Sequence, residues 1–533
     1  MQKTDLRIDI LGTSISISTD EKPEYLDTLL SKYRWAVESV KRLSGLTDPL
    51  KIAILTGFLL CDDREKLKAA SVWEKSSGEV EQLTLEMIHN LDEALGVLPE
   101  NADTSSPADS PPVDDIPLPH STFFALKNTV KNYDWGSPEW IPELLGEENI
   151  SRTPYAELWM GTHPAGPSSV TFPDSTEMPL SALIERAPET FLGELAAERF
   201  GKLPFLFKVL AVENSLSIQA HPNKTQAEKG FEWENQLGIP LDSPSRNYRD
   251  ANHKPEIIAA ITPFTALCGF RKPSEIISRI SGLCKVISPT DSTGTVLLAL
   301  ESLIAALSAV QENSFKAFLS TLFSMGMQAK SALSPAIKTS LSSLEREFPQ
   351  YKYEWHLCSY FASLYPCDTG ILAPLYLNTV KLAPNEALYI PAGVLHAYIH
   401  GMGVELMADS DHVLRGGLTA KHIDTGELLQ VLTFDEYHPE IITVPEPLPQ
   451  KFSYPCPATE FTLSLMQSSG NTAAYAADEA SIVLVTKGSA AIQVKESGEA
   501  LTLNSGSSIF IPQGKETLLF SGTFTAYAAA VAP

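Results

Sequence analysis

Side chains that bind divalent metals occur in three separated stretches of the chain. SIQAHPNK at 217–224 carries Gln219 and His221, DANHKPEI at 250–257 carries Glu256, and YIPAGVLHAYIHG at 389–401 carries His396. Gln219 and His221 stand two apart, a spacing that on a strand puts both on one face. Glu256 follows Pro255, which biases its segment toward extended backbone. His396 comes just after a Pro-x-Gly turn at Pro391 and Gly393. Two imidazoles, a carboxylate and an amide oxygen make a candidate four-ligand set. Zinc accepts such donors at ~2.0–2.2 Å, and the set leaves room for water or substrate. Other divalent ions accept the same mixture. His253, His400, His412 and His422 have only proximity to recommend them and read as ordinary surface or core groups.

Around these ligands fall Lys208, Lys254, Arg415 and Lys421, a candidate anion-binding ring. Lys208 lies in PFLFKVLA, where apolar neighbours suggest a strand whose end reaches a cavity. A metal beside a ring of cations suits chemistry on a small phosphorylated molecule. The chain itself carries a net charge of -25, so such cations must be concentrated locally. That charge also argues against nucleic-acid binding, which needs a basic face.

The six cysteines (Cys61, Cys268, Cys284, Cys358, Cys367 and Cys456) are scattered and form no C-x-x-C pair. They suit free thiols in a reducing cytoplasm. The first residues, MQKTDLRIDILG, lack the apolar core of a signal peptide. No run of ~18 or more apolar residues suggests a membrane span.

With 533 residues, the chain is expected to divide into several domains. Residues 1–96 read as an α+β module. Leu6, Ile8 and Ile10, then Ile15 and Ile17, alternate about Gly12-Thr13 as in a hairpin. Two helices follow, and their spare apolar stripe over 24–95 points to a homodimer through a coiled coil. Residues 97–120, rich in Pro, Ser and Asp, read as a disordered linker. Residues 121–273 and 349–440 read as short strands of one barrel. Residues 274–348, apolar at helical spacing, read as a helical subdomain inserted near the mouth of the site. Residues 441–533 read as a second barrel: FIPQGKETLLFSG at 510–522 echoes 389–401 and puts Thr517 opposite His396. Tandem jelly rolls, one with a metal and one without, fit this echo.

Two resemblances extend the reading. LRIDILGTSISI at 6–17, the helix at 24–44 and DPLKIAILTGFLLCDD at 48–63 resemble the ZapA family of cell-division proteins. That likeness implies a dimerising coiled coil and contact with the tubulin-like protein FtsZ. From about residue 121 onward, NYDWGS at 132–137, AELWMGTHP at 156–164, SIQAHPNK, HKPEI and PAGVLHAYIHGMGVELMADSDHVLRGGLTAKHID resemble type I phosphomannose isomerases in order and approximate spacing. The resemblance implies a mainly β, multidomain zinc enzyme with two cupin-like barrels and a helical domain. It would interconvert mannose 6-phosphate and fructose 6-phosphate. It implies one zinc per chain on Gln219, His221, Glu256 and His396. It places Ser217, Lys208 and Lys421 at the phosphate, and Arg415, Lys254, Glu405 and Asp411 around the reacting carbons. His412 stands where the family usually has Asn, and Gly416 and Ala420 replace the more usual Ala and Pro.

An aldose–ketose interconversion through a cis-enediol needs a base and positive charge for the enediolate. Arg415 is too basic to be that base, which leaves Lys254 and Glu405 as rivals. Asp411 and Lys254 are candidates for ring opening. Two other readings remain at this point. One is a cupin-type oxygenase using iron. The other is a division-site scaffold or sugar-phosphate sensor with a non-catalytic isomerase body.

Overall fold

The computed structural model describes residues 4–10, 13–19, 37 and 121–533, except 173–175, 244, 290, 292, 310–312, 448 and 515. The chain forms two compact units, one of residues 1–120 with 234–240, the other of residues 121–233 with 241–533. In the first, strands Thr4–Ile10 and Thr13–Thr19 form the expected hairpin, with Leu6 opposite Ile17 and Ile8 opposite Ile15. Of the expected helices only Val37 is described, helical and buried. The rest of them, and the linker 97–120, lie outside the described residues.

The second unit is built on two antiparallel sheets. The hub of the first is the thirteen-residue strand His396–Ala408. It pairs with Phe264–Phe270 and Ile218–Ala220 through its first half, and with Glu256–Ala260 and Phe205–Val212 through its second. Gly401 marks the change of partners. Its φ is +126°, and a Cβ there would come within 2.6 Å of the Pro263 carbonyl oxygen. Only glycine serves at such a bend.

The strands of this sheet have two distinct faces. On one, Leu210, Ile258, Ile390 and Tyr398 pack in an apolar cluster. Two residues along the same strands come Lys208 and Glu256, on that same face. The cavity is therefore apolar at one end and ionic at the other. On the opposite face, Ile218, Ala220, Leu395, Ala397 and Leu414 join the core of a helical layer. That layer comprises Pro273–Ile287, Thr295–Ser308, Ser314–Phe323, Met327–Glu347 and Lys352–Leu364. Ile276, Ile280, Leu283 and Ile287 make the inward stripe of its first helix, at helical spacing.

The helical run is longer than its expected span of 274–348. Pro349 opens a single 3-10 turn, Pro349–Tyr351, and the chain re-enters a helix at Lys352. A proline is tolerated at a helix start, so it interrupts the pattern without ending it. The core of the layer also lies behind the site's strands, where the expectation put it near the mouth.

The second sheet is C-terminal, with one addition. Phe124–Lys127 pairs with Ser508–Ile511, and Ser169–Thr171 and Glu177–Pro179 extend from it. These segments were expected in the first barrel. They cover an open strand edge of the second, which would otherwise present unpaired backbone.

The sequence echo has a structural counterpart. Ala387–Ile390 and His396–Ala408 flank Glu256–Ala260, while Ser508–Ile511 and Thr517–Val531 flank Ser481–Val494. Ile390 faces Glu256 and Ile511 faces Ser481. His396 faces Gln219 and Thr517 faces Ala476. The bend recurs as well: Gly522 has φ +115°, and a Cβ there would come within 2.6 Å of the Ser489 carbonyl oxygen. Register thus sets Ala476 and Thr517 where the first sheet has Gln219 and His396, and Ser481, counted from Ile511, or Val483, counted from Ala528, where it has Glu256. The second sheet keeps the scaffold without the nitrogen and carboxylate donors.

Candidate metal centre

Arg415, Gln219 and His396 are register partners across three adjacent strands. Side chains so paired share a face and lie about 5 Å apart at Cβ. The intervening residues pack into the helical layer, so burial of their backs holds this row toward the cavity. Glu256 opens its strand directly after Pro255, and His221 follows Ile218–Ala220 by one residue.

These placements converge. One donor atom each from His221, Glu256 and His396 lies within 4.8 Å of the others. Nε2 of His221 is 3.3 Å from one Glu256 oxygen, and Nε2 of His396 is 3.3 Å from the other. The Gln219 amide is 3.4 Å from His396 Nε2, and a half-turn of that amide presents its oxygen. His221 is 2 % exposed, Glu256 1 % and His396 0 %.

The outer ring nitrogens are held: Nδ1 of His221 donates to the His412 carbonyl at 2.7 Å, and Nδ1 of His396 to the Val394 carbonyl at 3.0 Å. This fixes the tautomer that leaves both Nε2 lone pairs facing inward, as metal-binding histidines require. His221 Nε2 and Glu256 Oε2 are buried without a hydrogen-bond partner. Such orphaned polar atoms are costly unless a cation satisfies them. Burial pushes His221 down to about 4 despite the neighbouring carboxylate, so it is neutral at pH 7. Burial alone would raise Glu256, but Lys254 at 3.0 Å and His221 hold it well below the usual carboxylate range. Neutral imidazoles and an ionised carboxylate are the forms a divalent metal takes up. The residues therefore fit one such ion.

A second charged layer lies beside the first. Lys208 Nζ is 3.3 Å from Glu405 and 3.7 Å from Glu157, and it sits over the Trp159 ring. Trp159 Nε1 donates in turn to Glu157. Lys208 was expected at a phosphate; its ammonium is already engaged by two carboxylates. They raise its pKa although burial acts in the opposite direction. Burial raises Glu405 against the pull of Lys208. Glu157 and Trp159 were not singled out from the sequence, although AELWMGTHP contains them two apart, the spacing of one strand face.

Asp411 is 3.2 Å from His163 Nε2, and the hydrogen bond from His163 holds it below the usual range. The Ala165 N–H donates to His163 Nδ1, so His163 is the donor in that pair. Ser217 is half-buried and directly precedes Ile218, which faces Gly417. Lys421 is exposed at the rim. His253 is accounted for by Glu460 at 2.7 Å. His412, expected to be an ordinary core group, is fully buried and orients His221 through its carbonyl.

Fold and site together define an antiparallel-β protein with a buried His–Glu–His metal centre beside a cluster of cations. Residues 123–273 match the family model for the phosphomannose isomerase type I catalytic domain, and residues 6–95 match that for cell division protein ZapA. The mannose-6-phosphate isomerase of Salmonella typhimurium is 37% identical over 399 residues, which are 75% of this chain and 97% of that protein. That of Escherichia coli is 37% identical over 74% of this chain and 96% of its own. A zinc-bound mannose 6-phosphate isomerase structure superposes with a TM-score of 0.69 at 34% identity, covering 78% of this chain and 100% of that one. The chain belongs to the type I phosphomannose isomerase family.

Proposed function

We propose that this chain is a zinc-dependent aldose–ketose isomerase that interconverts mannose 6-phosphate and fructose 6-phosphate through a cis-enediol. The observation that carries the reading is the convergence of His221, Glu256 and His396, with inward nitrogens fixed by tautomer and Arg415 two strands away in register. Gln219, His221, Glu256 and His396 would hold the ion. Bound there, zinc supplies a Lewis acid beside the sugar oxygens.

The chain's own groups divide the rest of the work. We assign the base to Glu405, because burial tunes its carboxyl upward as general bases require. It takes the C2 proton of the open-chain aldose and returns it to C1. Between these steps the O2 proton passes to O1, a shuttle assigned to Lys254. Arg415 stabilises the enediolate charge. Asp411, aligned by His163, serves ring opening. The phosphate is held by Arg415, Lys421 and the Ser217 hydroxyl, and its binding energy orients the reacting carbons. Lys208 acts on Glu405 in place of the phosphate role expected for it.

The two sheets are read as cupin-like barrels: one takes its strands from 129–270 and 377–442 and is interrupted by the helical insertion, the other from 451–531 with Phe124–Lys127, Ser169–Thr171 and Glu177–Pro179 added to its edge. A coupled assay of mannose 6-phosphate conversion tests the function. Turnover that a chelator abolishes and zinc restores is expected; turnover indifferent to chelation would refute the metal-centred scheme.

The match of residues 6–95 to ZapA favours a second role alongside catalysis. In that role residues 24–95 pair two chains, and the module contacts FtsZ. Co-sedimentation of the full chain with FtsZ filaments tests this, and absence from the pellet excludes it. No helix among the described residues is long and apolar enough to cross a membrane.

A further inference from the structure

We propose that Arg249 is a third arm of the anion site and contacts the substrate phosphate together with Arg415 and Lys421. The inference rests on the isomerase reading. It starts from the way segment 247–250 is fastened.

On one side, Asp250 accepts from the Asp411 N–H at 2.9 Å and from the Ser410 hydroxyl at 3.2 Å, and it lies 3.3 Å from His412 Nε2. Arg249 itself donates its N–H to His412 Nδ1 at 3.4 Å. On the other side, Asn247 donates to Asp424 at 2.9 Å and the Tyr248 hydroxyl donates to Glu427 at 2.7 Å. The segment therefore bridges the run just before Arg415 and the run just after Lys421. Arg249 occupies the span between these two sets of anchors, and its side chain is exposed.

Among the described residues, none of Arg249, Arg415 and Lys421 forms an ion pair. The fastening of 247–250 to 410–412 on one side and to 424–427 on the other brings the three into one neighbourhood. Beyond burial, Arg249 depresses Arg415, and Arg415 and Arg249 both depress Lys421. Asp411 is the carboxylate that feels Arg249, and it is already held by His163. Three cations with only Asp411, already paired with His163, near one of them repel each other, and a dianionic phosphate relieves that repulsion. A guanidinium fork can also take two phosphate oxygens at once. Lys208, bound between two carboxylates, cannot serve in this way.

The test compares wild type, Arg249→Ala and Arg249→Lys as full-length, zinc-loaded protein. It measures steady-state kinetics on mannose 6-phosphate and the inhibition constant for inorganic phosphate. Arg249→Ala is expected to raise KM and the phosphate inhibition constant by about tenfold each, with the loss falling on KM rather than on kcat. Arg249→Lys is expected to recover most of both. Unchanged KM and phosphate inhibition would overturn the proposal. So would a loss confined to kcat with an altered pH profile, because Arg249 would then serve Asp411. Wild type without isomerase turnover would sink the isomerase reading itself. In that event calorimetry of inorganic phosphate on wild type and Arg249→Ala still decides Arg249's part, with equal affinities overturning it.

Discussion

Glu405 sits among charged neighbours of both signs, and the effects of Lys208 and Glu157 on its proton can be tested separately. Burial raises its pKa most; Lys208 and Lys254 lower it, and Glu256 and Glu157 raise it. A base must be ionised to act, so the acid limb of kcat should follow this carboxyl. Lys208→Met removes the cation, and the limb is expected to move to higher pH. Glu157→Gln removes the second carboxylate, and the limb is expected to move to lower pH. A pH profile of each variant checks the pair; shifts in the same direction would remove Glu405 from the role of base. The stability linkage has its own sign. A carboxyl raised in the folded state favours folding below its unfolded value of ~4.3, and that contribution fades as pH rises through the folded value. The converging His221, Glu256 and His396 were legible in the sequence because imidazole and carboxylate carry their chemistry in their type. Glu157 and Arg249 were not. What they do depends on a lysine 51 positions further along the chain and on a loop near residue 411, and no local pattern announces such pairings.

At the scale of elements, the site depends on strands that have one face in the cavity and the other in the helical layer. The loop from Arg415 to Lys421 leaves that arrangement and is held from behind by Asp368. One Asp368 oxygen accepts the Gly370 N–H at 2.7 Å, the other the Thr419 N–H at 3.2 Å. Between them Gly417 and Leu418 take positive φ, of 144° and 53°. A Cβ on Gly370 would reach the Leu418 nitrogen at 2.8 Å, so the two segments touch through backbone. Asp368→Ala strips both acceptors and should cost about 1–3 kcal/mol of stability. It is also expected to raise KM for mannose 6-phosphate without lowering zinc content. Thermal unfolding, kinetics and metal analysis on one preparation check this, and loss of zinc would show that the clamp serves the ligands instead of the loop. Helical periodicity made the insertion legible up to Pro349, where a tolerated proline hid its continuation. Alternation revealed Phe124–Lys127 as a strand but could not name its partner, because a two-residue period records only which face is buried.

The whole molecule joins a module matched by ZapA to a body matched by isomerases, and the extents of those matches indicate which part carries the chemistry. The Salmonella and Escherichia relatives are covered over 97% and 96% of their own lengths by about three quarters of this chain. Every residue assigned to the metal, the base and the anion site lies between Glu157 and Lys421, and those up to 273 fall in the matched catalytic domain. The module at 6–95 contributes none of them, and the segment 97–120 that follows it is read as a linker. The relatives named mannose-6-phosphate isomerase consist almost entirely of the matched part. A fragment of residues 121–533 is therefore expected to keep the kcat, KM and zinc stoichiometry of the full chain. If residues 24–95 pair two chains, sedimentation should give a dimer for the full chain and a monomer for the fragment. A fragment that keeps its zinc but loses turnover would mean that the module takes part in the reaction. A fragment that stays dimeric would move the pairing surface into the body.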